Sequence, residues 1–213
     1  MSPFGPINST IGGFPQSSVT DSFEDGDINE YGGENGAYNA TQTRVRLGDW
    51  ALEGSNSGFG TTSSIGADNG IPNRPTTGVI LDVWMWVPDA GDLYYVFNNS
   101  DGDSFTAQLN GDGIQIQGGN NLILSNGNTD RYTEALSRTV SQEWVRAEVD
   151  WEFSGSTIQI AAYDSGGSSL ADADTGLNAV YSDQTRIGWV VRNVDGSTEG
   201  SAYFDHARLT AGF

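Results

Sequence analysis

The chain has 213 residues, 36% of them hydrophobic and 11% aromatic with six Trp, enough apolar volume for one large domain and too much for wholesale disorder. Its 28 acidic residues outnumber nine basic ones, all arginine, for a net charge of −19, so nucleic acid and anionic membranes, which are held through clustered positive charge, are excluded as partners. With no cysteine and a single histidine, His206, there is no disulfide framework, thiolate metal site or cysteine nucleophile, and no apolar run reaches the ~18 to 20 residues of a membrane span.

Residues 1–20 hold Pro3, Pro6 and Pro15 among Gly5, Gly12 and Gly13, and are predicted to form an extended arm ahead of one domain over residues 21–213. From Asp21 onward, short apolar alternations are separated by turn clusters such as NNSDGD, NGDG, SNGNTD and DSGGS. That punctuation predicts an all-β, antiparallel two-sheet sandwich or jelly roll. In chain order, strands are expected near 43–47, 50–54, 79–87, 93–98, 104–109, 113–117, 144–153, 157–163, 186–192 and 202–210. Across 79–87, Val79, Leu81, Val83, Met85 and Val87 share one face, while Ile80, Asp82, Trp84 and Trp86 share the other. Across 144–153, Val145, Ala147, Val149, Trp151 and Phe153 form the core face, and Trp144, Arg146, Glu148, Asp150 and Glu152 the wet one. Asn110-Gly111-Asp112-Gly113 and Asp164-Ser165-Gly166-Gly167 supply the positive-φ residues that hairpins require.

The pieces DSFEDGDINEY, LGDWALEGS, EWVRAEVDWEF, STIQIAAYDSGGSSLA and IGWVVRN…YFDHARL, taken in this order over residues 21–210, resemble the concanavalin A-like (laminin G-like) jelly-roll superfamily. The acidic, lysine-free form looks like those of haloarchaeal surface proteins and their viruses. Galactose-binding-like jelly rolls share the first and last pieces and are the alternative fold. The resemblance implies two curved antiparallel sheets, with the concave outer surface available to a glycan. It also implies a structural Ca²⁺ that ties the first strand to the last through Glu24, the carbonyl of Gly48, and Asp205. Calcium takes six to eight oxygens, so carbonyls or waters would have to complete the set.

Three constellations carry possible chemistry. Glu148-Val149-Asp150-Trp151-Glu152 is similar to the E-x-D-x-E strand of laminarinase-like and lichenase-like glycoside hydrolases, in which Glu148 would be the nucleophile, Asp150 its electrostatic partner and Glu152 the acid/base. Positions i and i+4 of a regular strand stand ~13 Å apart, against the ~5 to 5.5 Å between carboxyls of a retaining pair. The wet face of an acid-rich strand explains the triplet without catalysis, so no catalytic residue is assigned. Trp84 and Trp86 could stack on sugar rings while Asp82, Arg146, Asp150 and Glu152 bind hydroxyls, giving a glycan-binding set. His206 is expected to sit exposed beside Asp205. Asn8, Asn39 and Asn98 head N-x-S/T sequons.

The self-repulsion of 19 excess negative charges fades near 1 M salt, where the Debye length is ~3 Å. A halophilic source is therefore expected. With Met1 followed by no basic-then-apolar leader, the sequence is read as a non-enzymatic virion component of a halophilic archaeal virus, a turret, decoration or tail-fibre protein at the virion surface. Its partners are then neighbouring virion subunits, as a homo-oligomer, and a host surface glycan. A carbohydrate-binding module of a haloarchaeal cell-surface protein and a β-glucan hydrolase are the alternatives.

Overall fold

The computed structural model describes residues 16–28, 31–32, 38–55, 62–63, 78–88, 92–98, 112–126, 129–152, 157–178, 186–192 and 201–212. Its strands, in chain order, are β1 (Gln16–Asp21), β2 (Tyr31–Gly32), β3 (Tyr38–Thr41), β4 (Ala51–Ser55), β5 (Thr62–Ser63), β6 (Gly78–Val87), β7 (Asp92–Asn98) and β8 (Asp112–Gln117). They continue as β9 (Asn121–Asn126), β10 (Thr129–Ala135), β11 (Glu143–Glu152), β12 (Ile158–Tyr163), β13 (Ser169–Asp174), β14 (Arg186–Arg192) and β15 (Ser201–Gly212). There is no helix among the described residues.

The strands form two antiparallel sheets. The larger has eight strands, ordered β13-β12-β11-β6-β15-β4-β3, with β1 also on β15; the other has seven, ordered β10-β9-β8-β7-β14-β5-β2. β15 is long enough to pair β4 through residues 201–204 and β1 through residues 207–212. Residues 16–20, expected in the arm, thus belong to a sheet strand, and residues 1–15 lie outside the described ones.

Period-2 alternation explains the core. Leu81, Val83, Met85 and Val87 of β6 and Val145, Ala147 and Val149 of β11 join Ile114 and Ile116 of β8 and Leu122 and Leu124 of β9 in one buried cluster. Phe23 and Phe204, both nearly fully buried, belong to the same cluster. Trp151, expected in the core, lies on β11, and its side chain is outside the described residues, as is Phe153.

Two departures from the expected strands have physical causes. Residues 43–47 form bends crossing the sheet and not a strand: Val45 and Leu47 are only half-buried, and Arg44 and Arg46 point onto tryptophans. β1, β2, β3, β5, β9, β10 and β13 were not among the expected strands. β13 is an edge strand whose Asp172 and Asp174 are exposed, so it lacks an apolar signature and is protected by charge against pairing with another chain. The segment expected as a strand at 104–109 lies outside the described residues.

Candidate functional site

Alternation leaves Ile80, Asp82, Trp84 and Trp86 of β6 on the outer face of the larger sheet, beside Trp144, Arg146, Glu148 and Asp150 of β11. The ladder sets Trp144 opposite Trp86, Arg146 opposite Trp84, Glu148 opposite Asp82 and Asp150 opposite Ile80. On the other side of β6, β15 carries an extra residue. Asp205 stands opposite Trp84 and Arg208 opposite Asp82, so three steps along β15 match two along β6, and His206 takes φ +47° at the bulge. Without the bulge, residues three apart would point to opposite faces; with it, Asp205 and Arg208 both reach the outer one.

The outer face is packed and charged, which corrects the expectation of an open wet surface. Asp82 is fully buried, and its Oδ2 accepts a hydrogen bond from Arg208 Nη2 at 2.5 Å while Arg146 Nε lies 3.8 Å from Oδ1. Arg146, itself buried, donates to Glu148 Oε2 at 3.4 Å and places its guanidinium 4.4 Å from the Tyr163 ring centroid. Asp150 is buried as well. Trp84 is only 5% exposed, with the Arg46 guanidinium 4.4 Å from its ring centroid. Trp86 keeps a partly open ring, 5.8 Å from Trp144 in an edge-to-face contact and 4.4 Å from the Arg44 guanidinium. Of the six residues expected to bind glycan, five thus share the outer face and Trp86 alone among them keeps partial exposure. The backbone of Glu152 ends β11, and its side chain is outside the described residues.

The carboxylates of this face repel one another. Burial pushes the Glu148 carboxyl up to about 7, and the negative charge and hydrogen bond of Asp82 across the ladder push the same way, with Arg146 opposing them. Burial raises the Tyr163 hydroxyl too, with Glu148 adding to the effect. Glu148 therefore has its closest acidic neighbour in Asp82, on the adjacent strand. β11 pairs β6 without a bulge from Glu143 to Glu152, so nothing in the backbone draws Glu148 and Glu152 together from the ~13 Å of a regular strand.

Glu24 and Asp205, expected to hold calcium with the Gly48 carbonyl, do converge on the loop that carries Gly48, but with their oxygens turned to N–H donors. Glu24 accepts from Asp49 N through both oxygens, at 3.1 and 2.9 Å, and from Trp50 N at 3.1 Å. Asp205 Oδ2 accepts from Arg46 N at 2.7 Å and Leu47 N at 3.0 Å, and its Oδ1 lies 2.6 Å from His206 Nδ1. Gly48 takes φ +83°, with its Cα against the Glu24 carboxylate. This is how a loop grips carboxylates, and the set does not fit a shared Ca²⁺; no cluster of three or more acidic or histidine side chains able to hold a metal occurs among the described residues. His206 is beside Asp205 as expected, but its side chain is only 13% exposed.

Residues 42–50 form a strap over this face, which the sequence did not reveal as such. Its sequence mark is Arg44-Val45-Arg46-Leu47, two of nine arginines one residue apart, which mimics strand alternation. Arg208, Tyr163 and Trp144 were likewise not expected to matter; the ladder, not the sequence, brings them together. Of the sequons, Asn39 is exposed on β3, Asn8 lies outside the described residues, and so does the side chain of Asn98.

No family model matches the chain, and no curated protein matches it. Among solved structures it is similar to a protein of unknown function from Shewanella oneidensis MR-1, at 13% identity and TM-score 0.57, covering 92% of this chain and 87% of that one. It is also similar to lectin II from Ulex europaeus, at 8% identity and TM-score 0.54, covering 92% and 99%. A third is arcelin-5, a lectin-like defence protein from Phaseolus vulgaris, at 7% identity and TM-score 0.55, covering 93% and 99%. The fold is the all-β concanavalin A-like jelly roll, with lectins among its structural neighbours.

Proposed function

We propose that the protein is a non-enzymatic saccharide-binding surface protein, working in molar salt as a virion component of a halophilic archaeal virus. The observation that carries the saccharide reading is the half-open Trp86 ring on the outer face, braced edge-on by Trp144, with the Arg146 and Glu148 polar groups along the same face. An indole face takes the C–H side of a sugar ring, while carboxylate and guanidinium take its hydroxyls. The similarity of the sandwich to lectins supports the same reading. The lysine-free charge of −19 supports the salt environment, and the sequence resemblance to haloarchaeal virus jelly rolls supports the particle. Residues 1–15 are proposed to reach neighbouring subunits, with β1 as their anchor on the sheet.

The test is a glycan array in 3 M KCl with wild type and Trp86→Ala. Binding that the variant loses by tenfold or more, with its fold intact by circular dichroism, is expected; no binding to any saccharide, or equal binding by the variant, refutes the reading. Release of reducing sugar from β-glucan by wild type but not by Glu148→Gln would replace it with the hydrolase. For the particle, antiserum is expected to label purified virions and not host envelopes. Dialysis to dilute buffer is expected to unfold the chain reversibly, and full stability there would remove the halophilic premise.

A further inference from the structure

Arg46 ties the strap to three elements. Its backbone N–H donates to Asp205 on β15 at 2.7 Å, its Nη2 donates to the Ser165 carbonyl in the turn between β12 and β13 at 3.1 Å, and its guanidinium covers Trp84 of β6. Glu24 holds the far end through Asp49 and Trp50. A guanidinium over an indole occupies the space in which the face of a sugar ring would stack. Trp84 stands two residues from Trp86, ~6.6 Å along the same face of β6, in a buried cluster with Trp144 and Tyr203 against which Trp86 packs, and Arg46 of the strap lies over its ring.

Two atoms mark this cover as incomplete packing. Trp84 Nε1 and Arg46 Nε are both buried without a hydrogen-bond partner. Buried donors left unpaired cost free energy, and lifting the strap lets water or a sugar hydroxyl satisfy both. Residues 42–50 are all half-buried or exposed, so opening uncovers little apolar area, the property of segments that open locally well below global unfolding. The fastenings are directional contacts from Asp205, Glu24 and Ser165, which break without disturbing the ladder of β6 and β11.

We propose that residues 42–50 are a displaceable strap, with the Arg46 guanidinium standing in for a saccharide ring on Trp84, so that Trp84 is a second stacking subsite opened when the strap lifts. The inference rests on the saccharide reading above. The strap then sets affinity, because Arg44 lies over Trp86 as Arg46 lies over Trp84, so that the partly exposed Trp86 receives a sugar on the part of its ring that Arg44 leaves open, and Trp84 contributes only once Arg46 is displaced.

Amide hydrogen exchange of the wild type in 3 M KCl tests the strap without any variant. The N–H groups of Arg46, Leu47, Asp49 and Trp50 are expected to exchange at least 100-fold faster than those in the middle of β6 and β11; equal protection overturns the proposal. Titration of wild type and Arg46→Gln with galactose, glucose, galacturonate and glucuronate then tests the subsite. Removing the cover is expected to tighten binding about tenfold and to extend contact to Trp84, seen as a new shift of its indole N–H resonance. Weaker binding by Arg46→Gln than by wild type makes Arg46 part of the ligand site and overturns the strap alone. Binding of none of the four to either protein removes the saccharide reading, and the inference falls with it.

Discussion

Replacing Glu148 by Gln tests the electrostatics of the outer face most directly. Glu148 is faced by Asp82 from β6, by Arg146 and Asp150 on its own strand and by Tyr163 from β12, and its carboxyl moves from 4.5 to about 7, burial being the larger cause. A carboxyl that holds its proton more tightly when folded gives stability that is full at acid pH, declines as pH rises from the unfolded value through about 7, and is absent above. At about 1.4 kcal/mol per tenfold change in acidity the ceiling is about 3 kcal/mol, and the 16% of the side chain open to solvent brings the expected value to about 2 kcal/mol. Glu148→Gln keeps the shape and removes the charge. Its stability is expected to match wild type near pH 4.5 and to exceed it by about 2 kcal/mol at pH 8, or about 4 to 8 °C in Tm for a chain of this size. Thermal unfolding of both proteins in 3 M KCl from pH 4.5 to 8.5 reads the difference, in which titration of the other acidic residues cancels. A difference that stays constant with pH, or a variant less stable at pH 8, refutes the repulsion assigned to Asp82 and the burial assigned to Glu148.

Asp82→Asn leaves the guanidinium groups of Arg208 and Arg146 without their carboxylate, and is expected to cost about 3 to 5 kcal/mol in denaturant unfolding; a loss under 1 kcal/mol would show that other groups balance them. Gly48→Ala puts a Cβ 2.2 Å from Glu24 Oε1 at φ +83°, so Glu24 must swing off the Asp49 and Trp50 amides and about 2 kcal/mol is lost, with faster exchange of those two amides as the local sign. Since Glu24 and Asp205 are spent on N–H donors, 5 mM CaCl2 or EDTA is expected to move Tm by less than 1 °C, and a rise of several degrees with calcium would show these oxygens turning to a cation.

The fold was legible where one face of a strand is apolar and the other is not. β6 and β11 were read within one residue of their observed bounds, because Leu81, Val83, Val145 and Val149 alternate with charged or aromatic residues. Polar strands gave no such signal: β10, TDRYTEA, and β13, SLADAD, are edge strands of their sheets, and they touch the core through only a few side chains, Tyr132, Leu170, Ala171 and Ala173. The site was legible as a list of residues and not as an environment. Asp82 carries a charge, and a charge reads as exposed until its partner is known. That partner, Arg208, is 126 positions away and reaches it only because β15 gains a residue at the bulge. A bulge has no reliable mark in one sequence, so neither the burial of Asp82 nor its pairing with Arg208 could be read. The resemblance linked Glu24 near the first strand to Asp205 in the last, and both do meet the 46–50 segment, but there their oxygens face amides; a family pattern locates an oxygen without telling whether it faces a cation or an amide.

The absence of lysine has a structural side as well as the proposed adaptation to salt. Arg44, Arg46 and Arg146 lie over the rings of Trp86, Trp84 and Tyr163; Arg138 meets both oxygens of Glu143; Arg208 meets Asp82; Arg131 donates to the Asn178 carbonyl. These are the arginines whose side chains are described, and each uses its guanidinium in a ring contact or a directed hydrogen bond. A planar fork serves both uses in one residue, and an ammonium serves the stacking poorly. In molar salt an attraction survives only at contact distance, because the Debye length of ~3 Å erases anything longer. Cations scattered over the surface would then add little, whereas cations locked against rings and carboxylates keep their value. Four of the nine arginines, Arg44, Arg46, Arg146 and Arg208, are collected on or over the outer face of the larger sheet. Among the described residues, the buried pairing of Arg146 and Arg208 with Asp82 coincides with the tryptophan platform, while the Arg138 pair with Glu143 and Asp164 is more exposed. Charge balance alone does not require that coincidence, whereas the proposed saccharide face, which has to stay ordered to bind, accounts for it.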